Sequence, residues 1–161
     1  MDKNLEKAFG NRIRVRVSGI CIKQDSLLLV KHSGLGKKGI LWAPPGGEIH
    51  FDETAQEALI REFKEETGLD ISVDNLLFVN EFKEGSLHAV ELFFQVSALN
   101  EVIIKGNDPE LDKEKQIIRE VRFVTFDEIV IMADETLHNI LHKGKDKNSL
   151  LNMNGYFKFC R

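Results

Sequence analysis

The stretch GGEIHFDETAQEALIREFKEETGL, residues 46–69, decides how this chain folds. Thr54 and Glu57 have the spacing of a capping box, in which each side chain binds the other residue's backbone N–H at the start of a helix. Gly68 stands where the end of a helix favours a residue in the left-handed conformation. The pattern predicts a helix over 55–67, preceded by a loop that begins with two glycines.

The acidic residues of this predicted helix lie on one side of it. At about 100° per residue, Glu66 lies about 40° from Glu62, and Glu65 lies about 60° from it in the other direction. Leu59 and Phe63 mark the neighbouring side, which we expect to face the core. The three carboxylates therefore border the buried face of the helix.

Such a cluster has two interpretations. In the first, the helix face is simply exposed to solvent, and Glu62 and Glu66, four residues apart, repel each other by roughly 0.2–0.5 kcal/mol. A bound divalent cation would reverse that sign, and Mg²⁺ prefers hard oxygen ligands and shares its shell with phosphates and water. Gly47 would add a carbonyl or let a phosphate approach closely. Arg61 either forms surface ion pairs or holds a carboxylate in place for the metal.

The composition is that of an ordinary globular protein. The 161 residues favour one domain, and the net charge of −4 argues against a protein that coats nucleic acid. Cys21 and Cys160 are far apart and form no metal or redox motif. The N-terminal residues hold no apolar segment of signal-peptide length, and no run approaches the ~20 apolar residues of a spanning helix. We expect a reduced, cytoplasmic protein with no membrane partner.

Alternating apolar residues and turn signals predict the remaining elements. Strands are predicted over 12–22, 26–31, 76–82, 87–98 and 117–126. Short helices are predicted over 127–133 and 134–142, and a short helix or frayed arm over 1–11. Residues 41–47 are predicted to be irregular because of their prolines and glycines, and 101–115 to be mostly a mobile loop. No element is predicted for 149–161. The order predicts an α/β fold with a mixed sheet and helices on both faces.

The spacing of residues 47–69 resembles the Nudix box, G-x5-E-x7-R-E-U-x-E-E-x-G-U, in which U is a bulky apolar residue. Every specified position is filled, with Phe63 at the first U. WAPPGG at 42–47 is similar to the W-x-x-P-G-G lead-in of the family, and EVRFV at 120–124 to a stretch that many members place near the site. The chain thus resembles the MutT-like Nudix hydrolases.

The resemblance implies an α/β/α sandwich with a mixed sheet, formed by a single domain over 1–161, with the box as a loop–helix–loop. It implies an enzyme that needs Mg²⁺, or Mn²⁺ in its place, and hydrolyses a nucleoside diphosphate linked to another group. Arg61 would orient a glutamate, and Glu53 would brace the loop. Carried over by position, the metal ligands are Gly47 (through its carbonyl), Glu62, Glu65 and Glu66.

A water would attack a phosphorus of the diphosphate bridge, which the metal would neutralise. Members of the family often place the general base outside the box, so the proton acceptor stays open among Glu62, Glu110, Glu114 and Glu120. The catalytic residues expected from the resemblance are Glu62, Glu66, Arg61 and Glu120.

The substrate is weakly encoded, and we expect a small phosphoanhydride such as a nucleoside triphosphate or a nucleotide sugar. The proline typical of ADP-ribose subgroups, the tyrosine of diadenosine polyphosphate subgroups and the NADH-type array are missing after the box. Gly46 and Gly47 are expected at the phosphates. Trp42 or Phe82 could stack on a base, although such rings are more often part of the core. Further phosphate contacts could come from Arg14, Arg16, Lys31, Lys37 and Lys38.

The alternative from another class is a nucleotide-metabolite sensor on a Nudix fold. Sensors of this kind typically carry a degraded box or an added domain, whereas here all the box acids are present. No polymeric nucleic acid is expected as a partner. Dimers are frequent in the family, so a homodimer is an assembly that the resemblance allows.

Overall fold

The computed structural model describes residues 9–107 and 116–160, and these residues form one sheet with short helices around it. The helices are α1 (Ala55–Thr67), α2 (Phe126–Ile131) and α3 (Lys147–Leu151), with 3₁₀ turns at Asp134–Thr136 and Asn139–His142. None of these helices is long and apolar enough to cross a membrane. The strands are β1 (Arg12–Lys23), β2 (Ser26–Ser33), β3 (Ile40–Ala43), β4 (Gly46–Glu48), β5 (Ile71–Glu84), β6 (Leu87–Ala98), β7 (Ile118–Thr125) and β8 (Gly155–Cys160).

The sheet is mixed, as predicted. Its described strands run in the order β3, β2, β1, β6, β5, β8, with β4 added to β1 and β7 added to β2. The β1–β6 and β5–β8 pairs are parallel, and the other pairs are antiparallel. Strands β1 and β2 pair only beside their hairpin, at Ile22 with Leu27 and Lys23 with Ser26. Beyond that point β4 lies beside β1, so the sheet opens between β1 and β2.

Helices cover both faces of the sheet. On one face Leu59 and Phe63 of α1 are fully buried in a cluster with Val17 of β1. On the other face Ile20 of β1 packs with Ile129 of α2 and with residues of the later turns and α3. Because alternate residues of a strand point to opposite faces, the odd positions of β1 meet α1 and the even positions meet the C-terminal segment. The predicted α/β fold with helices on both faces is confirmed.

Helix α1 has the predicted bounds and the predicted caps. The Thr54 side chain accepts from the Glu57 N–H, and the Glu57 carboxylate accepts from the Thr54 N–H at 2.8 Å. Gly68 ends the helix with φ 73°, a conformation in which a Cβ is strained. These signals are local, so the sequence alone was enough to find them.

Other predictions of secondary structure were wrong because these segments are ordered by contacts with residues that are distant in sequence. Residues 41–47 are not irregular throughout, since β3 pairs with β2 and β4 pairs with β1 on either side of two prolines. The predicted helix over 134–142 is reduced to 3₁₀ turns. The tail forms α3 and then β8, which extends the sheet beside β5.

The described part of the predicted mobile loop is fastened to the end of α1. The Ile104 N–H donates to the Thr67 carbonyl at 2.9 Å, and the Gly106 N–H donates to the Glu66 carbonyl at 2.9 Å. These bonds satisfy carbonyls that the last turn of a helix leaves without partners. Residues 108–115 of the loop, and 1–8 of the predicted N-terminal arm, lie outside the described residues.

Gly106→Ala should lower the stability of the protein, because a Cβ at this position would overlap the Glu65 carbonyl oxygen. We expect a loss of about 1 to 3 kcal/mol in the free energy of unfolding, as for other overpacked sites. Urea unfolding measures it, with Lys105→Ala, at an exposed neighbour, as the control. Equal stabilities for the two variants would show that residues 101–107 do not hold the helix end.

Candidate active site

The carboxylates of Glu62 and Glu66 are buried against the glycines of β4. The Gly46 N–H donates to Glu66 Oε2 at 3.0 Å, in a buried position. A Cβ on Gly47 would overlap the carboxylate of Glu62. The two glutamates are only 7% and 6% exposed, although they are charged side chains on a helix. Gly46 and Gly47 are therefore needed for the close approach of strand and helix at this point.

Arg61 connects α1 to the loop that precedes it. Its Nε and Nη2 donate to the two carboxylate oxygens of Glu53, at 3.1 and 2.7 Å. Its Nη1 donates to Glu62 at 2.8 Å and to Glu65 at 3.2 Å. Nη2 also donates to the carbonyl of Glu48 at 3.1 Å. A planar guanidinium with several fixed donors suits this arrangement, which a lysine could not reproduce.

Glu53 braces the loop that Arg61 reaches. Its carboxylate accepts from the backbone N–H of His50 at 2.7 Å, in addition to the two bonds from Arg61. These bonds, those from Arg61 first, lower the pKa of Glu53 to about 2. The carboxylate is thus ionised over the whole range in which the protein would work.

The pKa of Glu62 is shifted in the opposite direction. Burial, together with the neighbouring charges of Glu66 and Glu65, raises its pKa to about 7 against the opposite effect of Arg61. The site therefore disfavours a further negative charge and would gain from a positive one.

The carboxylate and carbonyl oxygens at this site are chemically suited to a hard cation, although some of them already accept hydrogen bonds from the protein. Three carboxylates and a backbone carbonyl are ligands that Mg²⁺ accepts. Among the described residues, however, no group of three or more His, Cys, Asp or Glu side chains is arranged to hold a metal ion. Arg61 binds Glu62 and Glu65, and Gly46 binds Glu66. The metal ligands named from the resemblance remain a prediction.

A cavity of about 750 Å³ begins at these carboxylates. Gly46, Gly47, Glu62 and Glu66 line one part of it. Its walls come from β1, β5 and β6 and from the segment after α2, and Arg14, Arg16, Lys37 and Phe82 are among the lining residues. The cavity is therefore acidic at one end and is lined elsewhere by several positively charged side chains.

Glu91 also lines the cavity and was not found from the sequence. Its carboxylate lies 3.2 Å from His138 Nε2 and 3.6 Å from Arg16 Nε, and it accepts from Asn80 Nδ2 at 2.8 Å. Burial acts to raise its pKa, but His138, Arg16 and Asn80 outweigh burial and hold the value at about 2. Arg16 also donates to the carbonyl of Gly46 at 3.3 Å, which connects this network to the glycines.

Two residues with predicted roles lie away from the cavity. Trp42 is 6% exposed and packs in the core, with Lys31 and Arg122 5.5 and 5.3 Å from its ring centroid. Glu120 accepts from Arg122 Nε at 2.9 Å, lies 4.0 Å from Lys31, and does not line the cavity. The roles predicted for Trp42 and Glu120 thus have no supporting contact. Glu65 lines a separate, smaller cavity beside Gly106.

The sequence contained signals for the residues that were missed. Glu91 interrupts the apolar run of β6, and a charge at such a position is buried and needs a partner. His32, which ends the apolar run of β2, lies with its Nε2 3.7 Å from Glu66. His138 gave no signal, because its partner is distant in sequence.

The family model of the NUDIX domain matches residues 12–144. The chain belongs to the Nudix family. Residues 47–69 are therefore its Nudix box, and the α/β/α fold expected from the box is confirmed by the structure and by this match.

Several known proteins are similar to this chain. ADP-ribose pyrophosphatase of Methanocaldococcus jannaschii is 35% identical over 96 residues, which are 58% of this chain and 56% of that protein. 8-oxo-dGTP diphosphatase of Proteus vulgaris is 30% identical over 66 residues, 41% of this chain and 59% of that protein. The crystal structure of a NUDIX hydrolase from Nitrosomonas europaea aligns with a TM-score of 0.63 at 19% identity, covering 91% of this chain and 79% of the other. The chain spans less than two thirds of both curated relatives, and the structural likeness is one of fold.

Gly47→Ala should destabilise the protein through Glu62, because the new methyl group would occupy the place of the carboxylate. We expect a loss of about 1 to 3 kcal/mol in the free energy of unfolding. In a Glu62→Ala background the same change should cost much less, since the obstacle is gone. A double-mutant cycle in urea tests this, and equal costs in the two backgrounds would contradict the contact.

Glu91 should make stability depend on acid pH. A glutamate whose pKa falls from about 4.3 when unfolded to about 2 when folded adds stability above about pH 4, and this stability is lost as pH falls toward 2. Glu91→Gln should therefore be less stable at neutral pH and lose less stability between about pH 5 and about pH 2. Urea unfolding at a series of pH values compares the slopes, and parallel curves would contradict the assignment.

Proposed function

We propose that this protein is a Mg²⁺-dependent hydrolase that cleaves the diphosphate bond of a nucleoside diphosphate linked to another group. The observation that carries the proposal is the burial of Glu62 and Glu66 against Gly46 and Gly47 at one end of the cavity. Burying two charges of the same sign lowers the stability of a protein unless a bound ion or another partner compensates them. Their position beside a glycine backbone without side chains suits a bound phosphate with its cation.

The residues that would hold the metal are Gly47 (through its carbonyl), Glu62, Glu65 and Glu66. A divalent cation bound there supplies charge neutralisation at the diphosphate and acidifies a water. Arg61 keeps Glu62 and Glu65 in fixed positions through its Nη1, and Glu53 fixes Arg61 in turn. Arg16, which contacts the Gly46 carbonyl, is positioned to meet a phosphate of the substrate.

The proton of the attacking water needs an acceptor. Glu62 lines the cavity, so we keep it as the candidate base. Glu120 is paired with Arg122 away from the cavity, which weakens its case. Glu110 and Glu114 lie outside the described residues.

The relatives support a diphosphate bond as the target without fixing the rest of the substrate. One is named an ADP-ribose pyrophosphatase and another an 8-oxo-dGTP diphosphatase. Nucleoside triphosphates and nucleotide sugars are therefore both to be tested. A single domain over 1–161, a homodimer and a cytoplasmic location stay predictions from the sequence.

Glu66→Gln should abolish turnover while leaving the fold intact, because it removes a negative charge from the expected metal site and keeps the shape of the side chain. We expect release of nucleotide or phosphate to fall by at least about a hundredfold. The assay uses a panel of nucleoside triphosphates, nucleotide sugars, ADP-ribose and dinucleoside polyphosphates, with Mg²⁺ or EDTA. Glu101→Gln is the matched control, because that carboxylate is 84% exposed and far from the box in sequence.

Turnover that needs Mg²⁺ and is lost only in Glu66→Gln supports the enzyme and identifies its class of substrate. Wild-type turnover by Glu66→Gln would remove Glu66 from the metal site. Tight binding of one compound with no turnover of any would favour the sensor in place of the enzyme.

A further inference from the structure

A row of charged and polar side chains crosses the sheet from β4, the strand of the box glycines, to β5. Arg16 of β1 lies opposite Glu48 of β4 on one side and opposite Glu91 of β6 on the other. Glu91 in turn lies opposite Asn80 of β5. Neighbouring strands are about 4.8 Å apart, and residues that lie opposite each other share one face of the sheet. The row therefore places Arg16 within reach of two carboxylates.

Glu91 is the carboxylate of this row with which Arg16 is paired. The carboxylate of Glu48 instead accepts from the guanidinium of Arg12, at 2.5 and 2.9 Å. Arg16 Nε lies 3.6 Å from Glu91 Oε1, and Arg16 Nη2 donates to the Gly46 carbonyl at 3.3 Å. Two guanidinium nitrogens of Arg16 thus have contacts on different strands, whereas Nη1 takes part in neither contact. This arrangement directs the side chain toward the box glycines.

The charge of Arg14 works against this orientation of Arg16. Arg14 lies two residues earlier on the same face of β1, and burial and the charge of Arg16 are the main causes that lower its pKa to about 10. The two guanidinium groups therefore repel each other, and Glu91 is one of the carboxylates that oppose this repulsion. The side chain of Arg16 is 26% exposed, so it has room to turn toward solvent. Without the charge of Glu91, we expect Arg16 to leave the Gly46 carbonyl.

Glu91 is itself fixed by the segment that follows α2. Its Oε2 accepts from Asn80 Nδ2 at 2.8 Å and lies 3.2 Å from His138 Nε2. The Ile140 N–H donates to His138 Nδ1 at 3.5 Å, so the ring proton is on Nε2, which donates to Glu91. Asn139 Nδ2 donates to Asn80 Oδ1 at 3.0 Å and so turns the Asn80 amide toward Glu91. These donors are all on Oε2, which leaves Oε1 directed at β1.

We propose that Glu91 is a positioning residue, which holds the guanidinium of Arg16 in the orientation that meets a phosphate of the substrate. Glu91 acts through Arg16, and an arginine that is already ordered loses less conformational freedom when the substrate binds. The inference rests on the proposed function, because it is there that Arg16 is assigned to a phosphate. It adds a residue outside the box, on a distant strand, to the binding of the diphosphate.

The test is a double-mutant cycle between Glu91 and Arg16, measured by binding. The probe is methylenediphosphonate, a diphosphate analogue that is not hydrolysed, and its dissociation constant is measured by titration calorimetry with Mg²⁺. Arg16→Gln should weaken binding at least about tenfold, and Glu91→Gln at least about fivefold. In the Arg16→Gln background, Glu91→Gln should change binding by less than about twofold, because the residue through which it acts is absent.

Glu81→Gln is the matched control. Glu81 is next to Asn80 on β5 but on the opposite face, where it pairs with His88 at 2.6 Å and accepts from the Tyr156 hydroxyl. It is thus also a hydrogen-bonded glutamate of the sheet, and its change should leave the dissociation constant as in wild type. With a hydrolysed substrate, Glu91→Gln should raise KM at least about fivefold and leave kcat within about threefold of wild type.

Wild-type affinity in Glu91→Gln overturns the inference, and so does an equal loss of affinity in the Arg16→Gln background. A wild-type protein that does not bind the probe overturns it as well. If Glu91→Gln does not fold, Glu91→Asp replaces it, since aspartate keeps the charge but is one methylene shorter. Glu91→Asp should weaken binding at least about twofold, and unchanged affinity would overturn the inference.

The same measurements separate this inference from the proposed function. A protein that binds the probe with the expected coupling but hydrolyses no compound of the panel keeps the positioning role of Glu91 and loses the proposed function. Hydrolysis with the same KM in wild type and Glu91→Gln keeps the proposed function and removes the positioning role.

Discussion

The hydrogen bond from the Gly46 N–H to Glu66, 3.0 Å long and buried, is the contact on which the rest of the site depends. A buried carboxylate needs donors, and the helix itself has none left to give in its last turn. The donor is available because β4 pairs with β1 and brings its backbone over the helix. Gly46 has φ 153°, and a Cβ there would overlap the backbone of β1, so only glycine meets the requirement. The strand pairing, the glycine pair and the acids of α1 therefore form one unit.

That unit was found from the sequence because most of its parts are close in the chain. The capping box, the left-handed glycine and the spacing of the acids all lie within residues 46–69, and each has a local physical cause. The short strands β3 and β4 were missed because proline and glycine disfavour a strand locally, while pairing with β2 and β1 overrides that preference. Strand β8 was missed because, among the described residues, its order comes from pairing with β5, which is distant in sequence.

The sequence likewise predicted one part of the candidate site and not the other. Glu62, Glu66, Gly46 and Gly47 lie together at the cavity because they share one helix and the strand before it. The opposite wall could not be derived, since it depends on the register of β1 against β6 and of β6 against β5. Trp42 illustrates the limit of motif reasoning. It stands in the expected lead-in, yet the alternation of β3 directs Leu41 and Ala43 to the cavity and the ring of Trp42 to the core.

Arg14 and Arg16 lie on the same face of β1 and both line the cavity, but they differ in their partners. Arg16 is compensated, with Glu91 3.6 Å away and the Gly46 carbonyl at 3.3 Å, so its charge is part of the folded structure. Arg14 lies two residues earlier on the same face, but the described residues give its Nε no hydrogen-bond partner. A buried guanidinium nitrogen without a hydrogen bond is costly, and the charges of Glu48 and Glu91 offset only part of the cost of burying Arg14. The two arginines on this face therefore differ in their partners: Arg16 belongs to a network with Glu91 and Gly46, whereas the buried Nε of Arg14 has no hydrogen-bond partner among the described residues.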